Sequence, residues 1–381
     1  MDDRYFDQEH NMFRDAFRAF LAKEVLPHQE QWYEDGVVSR EVWLRAGEQG
    51  YLLPWADESY GGLGIKDFRY TQIQIEELMR IGETGFYLPL HSALVAPYIA
   101  SFGNEEQKKR LLPACIRGEH VLAVAMTEPA AGSDLAGIKA RAVEHDDYWL
   151  LNGAKTFISN GLLADIVVVA AKTDPDNSRA VGLFIVERGM AGFERGRQLK
   201  KMGMKSQDTA ELFFNDVKVP KANVLGEASK GFYYLMHGLA EERLIAAVTN
   251  VASCQAAFNS TLDYIQQRTA FGKTLASFQN TRFKMAEMRT EIDIAQVYVD
   301  HCVTQINDGR LAADAAAKIK LFSSELQGRV VDECLQLFGG YGYMEEYPIC
   351  RAYCDARITR IFGGTSEIMK EIIAKSIGLA G

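Results

Sequence analysis

The chain has 381 residues, 48% apolar and 24% charged, so it can bury a sizeable core in two or three domains. A net charge of −9 argues against nucleic acid as the main partner, though not against anionic ligands, which need only a local cluster of Arg, Lys or helix N-termini. The longest apolar run, IVVVAA at 166–171, is far too short to span a bilayer, and the acidic start MDDRYFDQEH resembles neither a secretory signal nor an Arg-rich transit peptide; the expected location is cytoplasmic or, for a mature processed form, the mitochondrial matrix.

Residues 1–118 predict helices, because FRDAFRAFLAKEVL, EVWLRAGEQG, YTQIQIEELMRIG and EEQKKRLLPACIRG place apolar residues at three- and four-residue spacing. Residues 119–230 change to short β-rich runs (VLAVAM, YWLLNG, DIVVVAAKT, VGLFIVER, AELFFNDVKV) separated by turn residues. Residues 231–381 return to long helical patterns. The fold class is therefore α+β, mainly α: a helical domain, a small sheet, a second helical domain. Six cysteines without a CxxC pair fit a reducing compartment, and no histidine stands near Cys350 and Cys354 with ligand spacing, so no metal is expected.

Five stretches carry candidate chemistry. AMTEPAAGSDLAG (125–137) ends a strand in a loop of small residues that lets a flat or phosphorylated ligand approach backbone N–H groups, with hydroxyls at Thr127 and Ser133. NGAKTFISNG (152–161) reads as a strand bracketed by two Asn-Gly turns, with Phe157 and Ser159 on one face. In QQRTAFGKTLASFQN (266–280), the planar fork of Arg268 suits a pyrophosphate. QLFGGYGYMEEYPICRAYCD (336–355) is rich in glycine but is no dinucleotide fingerprint, since no strand precedes it. Finally, TRIFGGTSEIMKEII (359–373) reads as a glycine turn feeding a helix capped by Thr365, with an apolar stripe at Ile368, Ile372 and Ile373. Each stretch alone has an ordinary structural reading.

In this order, over essentially the whole chain, these motifs resemble the acyl-CoA dehydrogenase family. AMTEPAAGSDLAG is similar to its first signature, and the run from Gln336 through GGYGY, Glu346, Arg351 and Asp355 to its second. The resemblance implies a helical N-terminal domain, a middle β-domain and a C-terminal four-helix bundle, assembled as a homotetramer (a dimer of dimers) with FAD at a subunit boundary. It implies that Met126, Thr127 and Ser133 line the flavin and pyrophosphate, with Ser133 also reaching substrate. Phe157, where many relatives carry Trp, would lie over the flavin face, and Ser159 near N5. Arg268, Phe271 and Gln279 would reach the adenine half of a neighbouring subunit's FAD, while Gln336, Gly339, Gly340, Thr365 and Glu367 also contact FAD. Substrate contacts would come from Arg243 and Gly364. Electrons would leave to an electron-transfer flavoprotein.

The family reaction is α,β-dehydrogenation of an acyl-CoA thioester: a base removes the α-proton while the β-hydride passes to flavin N5. Many relatives carry the basic glutamate at the position of Gly363. Here only the backbone N–H remains there, to donate to the thioester oxygen beside a ribityl hydroxyl of FAD. Long-chain and isovaleryl-type members carry the glutamate on a helix just before an Arg, which matches Glu242 in LAEERLIAAV. Periodicity does not choose between Glu241 and Glu242; the family pattern chooses Glu242. Gly363-Gly364 and KGFYYLMHGLAEERL resemble the long-chain pattern more than the isovaleryl one. Two other classes stay open on sequence: an oxygen-using flavin enzyme of the same fold (an oxidase or monooxygenase), and a non-catalytic interaction protein.

Overall fold

The computed structural model describes residues 5–177 and 179–379. The first part is helical: α1 (Gln8–Glu24), α2 (Gln29–Asp35), α3 (Arg40–Glu48), α4 (Arg69–Arg80), α5 (Ala96–Phe102) and α6 (Glu105–Ile116). Asp7 caps α1 by accepting from the His10 N–H, and Asn104 and Gln107 close a reciprocal capping box on α6. Between α4 and α5, Leu90–Val95 winds in wide turns, the Ala96 N–H reaching back to the His91 carbonyl. Pro97 follows and has no N–H to offer Ala93, which breaks the ordinary ladder at this point.

Eight strands follow: β1 (Leu122–Ala125), β2 (Arg141–Glu144), β3 (Tyr148–Ser159), β4 (Ile166–Lys172), β5 (Val181–Glu187), β6 (Phe193–Gln198), β7 (Thr209–Pro220) and β8 (Val224–Leu225). They form one sheet in the order β6-β7-β3-β2-β4-β5-β8, with β1 pairing parallel to β4. The first Asn-Gly pair is not the turn that the sequence suggested. β3 runs straight through Asn152-Gly153, where its register against β7 shifts, and Gly153 takes φ +147° with the Ala140 side chain against the place of its missing Cβ. Asn160-Gly161 does end the strand, Asn160 at φ +58°. Three strands of the sheet escaped the sequence reading: β2 and β8 are short, and β6 (FERGRQ) is polar.

The last part holds three long helices, α7 (Gly231–Gln267), α8 (Gln279–Asn307) and α9 (Ala313–Phe338), then α10 (Pro348–Ala356) and α11 (Ser366–Ser376). α7 packs along α9, α8 against both, and α11 on α9. Between α7 and α8 a two-stranded hairpin, β9 (Thr269–Ala270) and β10 (Lys273–Thr274), turns at Phe271-Gly272 with φ +52° and +79°. One core cluster joins both helical parts and one face of the sheet, from Phe17, Trp43 and Phe86 to Leu244, Leu326 and Val330. A second, around Trp149, Phe184 and Phe214, lies on the other sheet face. Among the described residues no helix is long and apolar enough to cross a membrane.

Candidate active site

The three parts meet around a cavity of about 230 Å³. Met79, Leu90 and Leu94 from the first part and Ile245 and Ala246 from α7 make it apolar. Phe157 and Ser159 line it from β3, Met126 and Thr127 from the loop after β1, and Phe362 and Gly363 from the loop before α11. Glu242 stands on its wall; Glu241 does not line it.

Phe157 is unusual on two counts. It is 67% exposed although an aromatic ring gains by burial, and it sits at φ +60°, a region costly for a bulky side chain. The cause is a second register shift of β3, between Lys155 and Ile158, which turns the ring out of the pleat. The neighbouring residues hold this geometry. Lys155, fully buried, donates to the Met126 carbonyl at 3.0 Å and to Glu128 Oε1 at 2.8 Å. Glu128 also accepts from the N–H groups of Lys139 (2.6 Å) and Ala140 (3.0 Å), and the Thr156 N–H donates to the Thr127 carbonyl at 2.9 Å. Loop 126–140 is thus fastened to β3 at several points. Burial pushes the Glu128 carboxyl up, but Lys155 and the two backbone donors more than offset it and hold it below its usual range.

From α7 the cavity receives Glu242, whose Oε1 accepts from the Tyr98 hydroxyl at 3.1 Å. Burial pushes its carboxyl up to about 7, against the opposing pull of the Tyr98 hydrogen bond and the Arg243 charge. Glu241 is pushed up to about 7 as well, by burial and by the charge of Glu242. Tyr87 and Thr249, which also line the cavity, meet at 2.6 Å; Thr249 gives its proton to the Ile245 carbonyl, so the Tyr87 hydroxyl is the donor. Met204 and Gln207 form a further wall. Their loop is tied to the first part, where buried Glu83 accepts from Ser206 Oγ at 3.4 Å, and to α10, where Asp355 accepts from the Met204 N–H.

Gly363 and Gly364 both have positive φ, +59° and +91°, which favours glycine at each. A Cβ at Gly363 meets no atom, so this backbone faces open space. Fully buried Lys320, on α9, holds the Gly364 carbonyl at 2.6 Å and so fixes the turn. Thr365 accepts from the Ile368 N–H at 3.3 Å and caps α11, whose most buried side chain is Met369 rather than the isoleucine stripe.

The remaining candidates lie outside the cavity. Arg243 is buried beside Glu242, its Nε without a partner among the described residues. Ser133, Gln336, Gly339, Gly340 and Glu367 are exposed. Arg268 stacks over the Tyr341 ring, Gln279 is exposed at the start of α8, and Phe271 is 97% exposed at its hairpin tip. Sequence reasoning missed Tyr98, Tyr87, Lys155, Glu128 and Lys320. Glu128 and Lys155 stand inside the two motifs around the cavity and were open to notice as a charge pair; Tyr98, within an apolar helix, carried no signal.

Models of the acyl-CoA dehydrogenase N-terminal, middle and C-terminal domains match residues 7–119, 123–217 and 229–378. The chain belongs to the acyl-CoA dehydrogenase family. It is 47% identical over 377 residues to the long-chain specific acyl-CoA dehydrogenase, mitochondrial, of Mus musculus, covering 98% of this chain and 87% of that one. Its structure resembles the crystal structure of an acyl-CoA dehydrogenase from Geobacillus kaustophilus, with a TM-score of 0.97, 48% identity and coverage of 99% and 100%. An acyl-CoA dehydrogenase from Bacillus anthracis complexed with FAD matches with a TM-score of 0.91 and 33% identity over 98% of this chain and 68% of that one. The family has the three-part fold described above, helical, β and helical.

Proposed function

We propose that the protein catalyses FAD-dependent α,β-dehydrogenation of an acyl-CoA thioester to the trans-2-enoyl-CoA, with Glu242 as the base. The observation that carries this reading is a carboxyl on the wall of a mostly apolar cavity, its proton affinity raised to about 7. A general base works best with a pKa near the operating pH. The α-proton goes to Glu242. The Gly363 N–H donates to the thioester oxygen as enolate-like charge grows there. Met79, Leu90, Leu94 and Ile245 supply apolar surface for the acyl chain.

The residues present fit FAD. An exposed aromatic ring is held at a strained φ beside the hydroxyls of Thr127 and Ser159, and the backbone at Gly363 is open. When bound, FAD supplies the acceptor for the β-hydride. In this reading Met126, Thr127, Phe157, Ser159 and Ser133 hold the flavin side of the cofactor, and Thr365 and Glu367 take its polar groups at the start of α11. Arg268, Phe271 and Gln279, outside the cavity, reach the adenine half of the FAD of a neighbouring chain within a homotetramer, and Gln336, Gly339 and Gly340 also contact FAD. Arg243 and Gly364 support the substrate end, and electrons pass on to an electron-transfer flavoprotein. A long-chain substrate agrees with the 47% identity to a long-chain specific relative.

The test is an anaerobic titration of the purified flavoprotein with palmitoyl-, octanoyl- and isovaleryl-CoA, read in the visible spectrum. Rapid bleaching, fastest with palmitoyl-CoA, is the expected result. A colourless protein that takes up no FAD overturns the reading in favour of an interaction protein. Reoxidation of the reduced flavin in air within seconds would assign the protein to the oxygen-using class.

Substitution at Gly363 gives a second expectation. Because a Cβ there meets no atom, Gly363→Glu folds, at a cost of about 1 kcal/mol for a non-glycine residue with positive φ. The new carboxylate enters the cavity and crowds bulky acyl chains. The ratio of kcat/KM for palmitoyl-CoA over octanoyl-CoA should fall; an unchanged ratio would count against the crowding.

A further inference from the structure

α5 and α7 meet along a ladder with four-residue spacing on both helices. Phe102 stacks on Tyr234, ring centroids 4.0 Å apart and nearly parallel. One turn along, Tyr98 lies over Gly238, where an added Cβ would come 3.1 Å from the phenol oxygen. One turn further, the same hydroxyl donates to Glu242 Oε1 at 3.1 Å. Tyr98 is only 3% exposed, and its ring also packs near Phe102, so the hydroxyl has a fixed position. The glycine at 238 leaves the room that the hydroxyl occupies.

We infer that Tyr98 is a positioning residue for the base: it holds one carboxylate oxygen of Glu242 so that the other is presented to the substrate. The inference rests on Glu242 being the base. A glutamate side chain has three rotatable bonds, and an apolar wall offers little to restrain it. The Tyr98 phenol provides the restraint. Burial and the charges of Glu242 and Glu241 push its own pKa far up, so it remains a donor at every working pH.

The hydrogen bond also has an electrostatic consequence. It favours the ionised form of Glu242, as does Arg243 on α7. Burial opposes both, and the other carboxyl near Tyr98 is Glu241. Tyr87, the other phenol on the cavity, is engaged with Thr249, and Lys320 on α9 feels Arg243 and Glu367. Among these groups Tyr98 alone binds the Glu242 carboxyl, so its removal acts on Glu242 directly.

Tyr98→Phe keeps the ring and removes the donor. The ascending limb of the rate of flavin reduction by palmitoyl-CoA should move up by about one pH unit, with kcat affected more than KM. The carboxyl stretch of Glu242, followed by infrared pH titration of the substrate-free holoenzyme and identified by its loss in Glu242→Gln, should move in parallel. Gly238→Ala, which displaces the hydroxyl without touching the carboxylate, should shift both in the same direction. A limb and an infrared midpoint that stay in place in Tyr98→Phe, with the rate lowered equally at all pH values, would overturn the inference and leave Glu242 as the base. A wild-type reduction rate in Glu242→Gln would instead remove the reading beneath it.

Discussion

Glu242→Gln slows reduction of the bound flavin by acyl-CoA at least ~10²-fold, the usual consequence of losing a positioned base, and at the same time makes the protein more stable above pH 7. The second half follows from linkage. The folded carboxyl titrates at about 7, above its ordinary 4.5, because burial penalises the charge. An acid whose folded pKa is raised binds its proton more tightly in the native state. Native stability is therefore undiminished below pH 4.5, falls as the pH rises from 4.5 to 7, and stays low above 7. A shift of this size corresponds to a penalty on the order of 3 kcal/mol, an upper figure for a side chain at a cavity wall. Gln has no charge to desolvate and its carbonyl still accepts from Tyr98. Thermal unfolding should show the variant ahead of wild type at pH 8 and level with it at pH 4.5. Glu241→Gln separates the two neighbours: it should bring a similar gain in stability while flavin reduction stays at the wild-type rate. Equal melting differences at both pH values would sink the electrostatic account, and loss of reduction in Glu241→Gln would sink the assignment.

The same pair shows what a sequence carries and what it does not. The helices at 8–24, 69–80 and 105–116 and the strands at 166–172 and 181–187 were legible, because burial of one face or of both imposes a period on the residues. The interior Asn-Gly of β3 was misread because its chemistry suits a turn, whereas pairing with β7 on both sides absorbs it as a bulge. Choosing Glu242 over Glu241 is beyond periodicity, as both lie on the same helix turn. The cavity separates them only because α4, the sheet and the loop at 362–363 converge on one side of α7. Tyr98 was illegible for a simpler reason: its partner is 144 positions away, and nothing local to VAPYIASF announces a polar contact.

Glu128→Ala should be among the most damaging single changes away from the cavity surface. It leaves the Lys155 ammonium fully buried with only the Met126 carbonyl as partner, and strips the Lys139 and Ala140 N–H groups of their acceptor. Breaking one side of a buried ion pair costs roughly 3–5 kcal/mol. The local consequence is specific. Loop 126–140 loses its anchor to β3, so Thr127 and the bulge that turns out Phe157 are no longer held together, and FAD should be lost on gel filtration. Removing both charges behaves differently. Glu128→Gln with Lys155→Met leaves no unpaired ion, and Gln still accepts one backbone N–H, so the double variant should be more stable than Glu128→Ala even though it carries more substitutions. Urea midpoints and flavin content of the single and double variants measure this. If Glu128→Ala loses less than ~1 kcal/mol and keeps its flavin, the pair is incidental to the site. If the double variant is the least stable of the set, the two charges matter for more than each other.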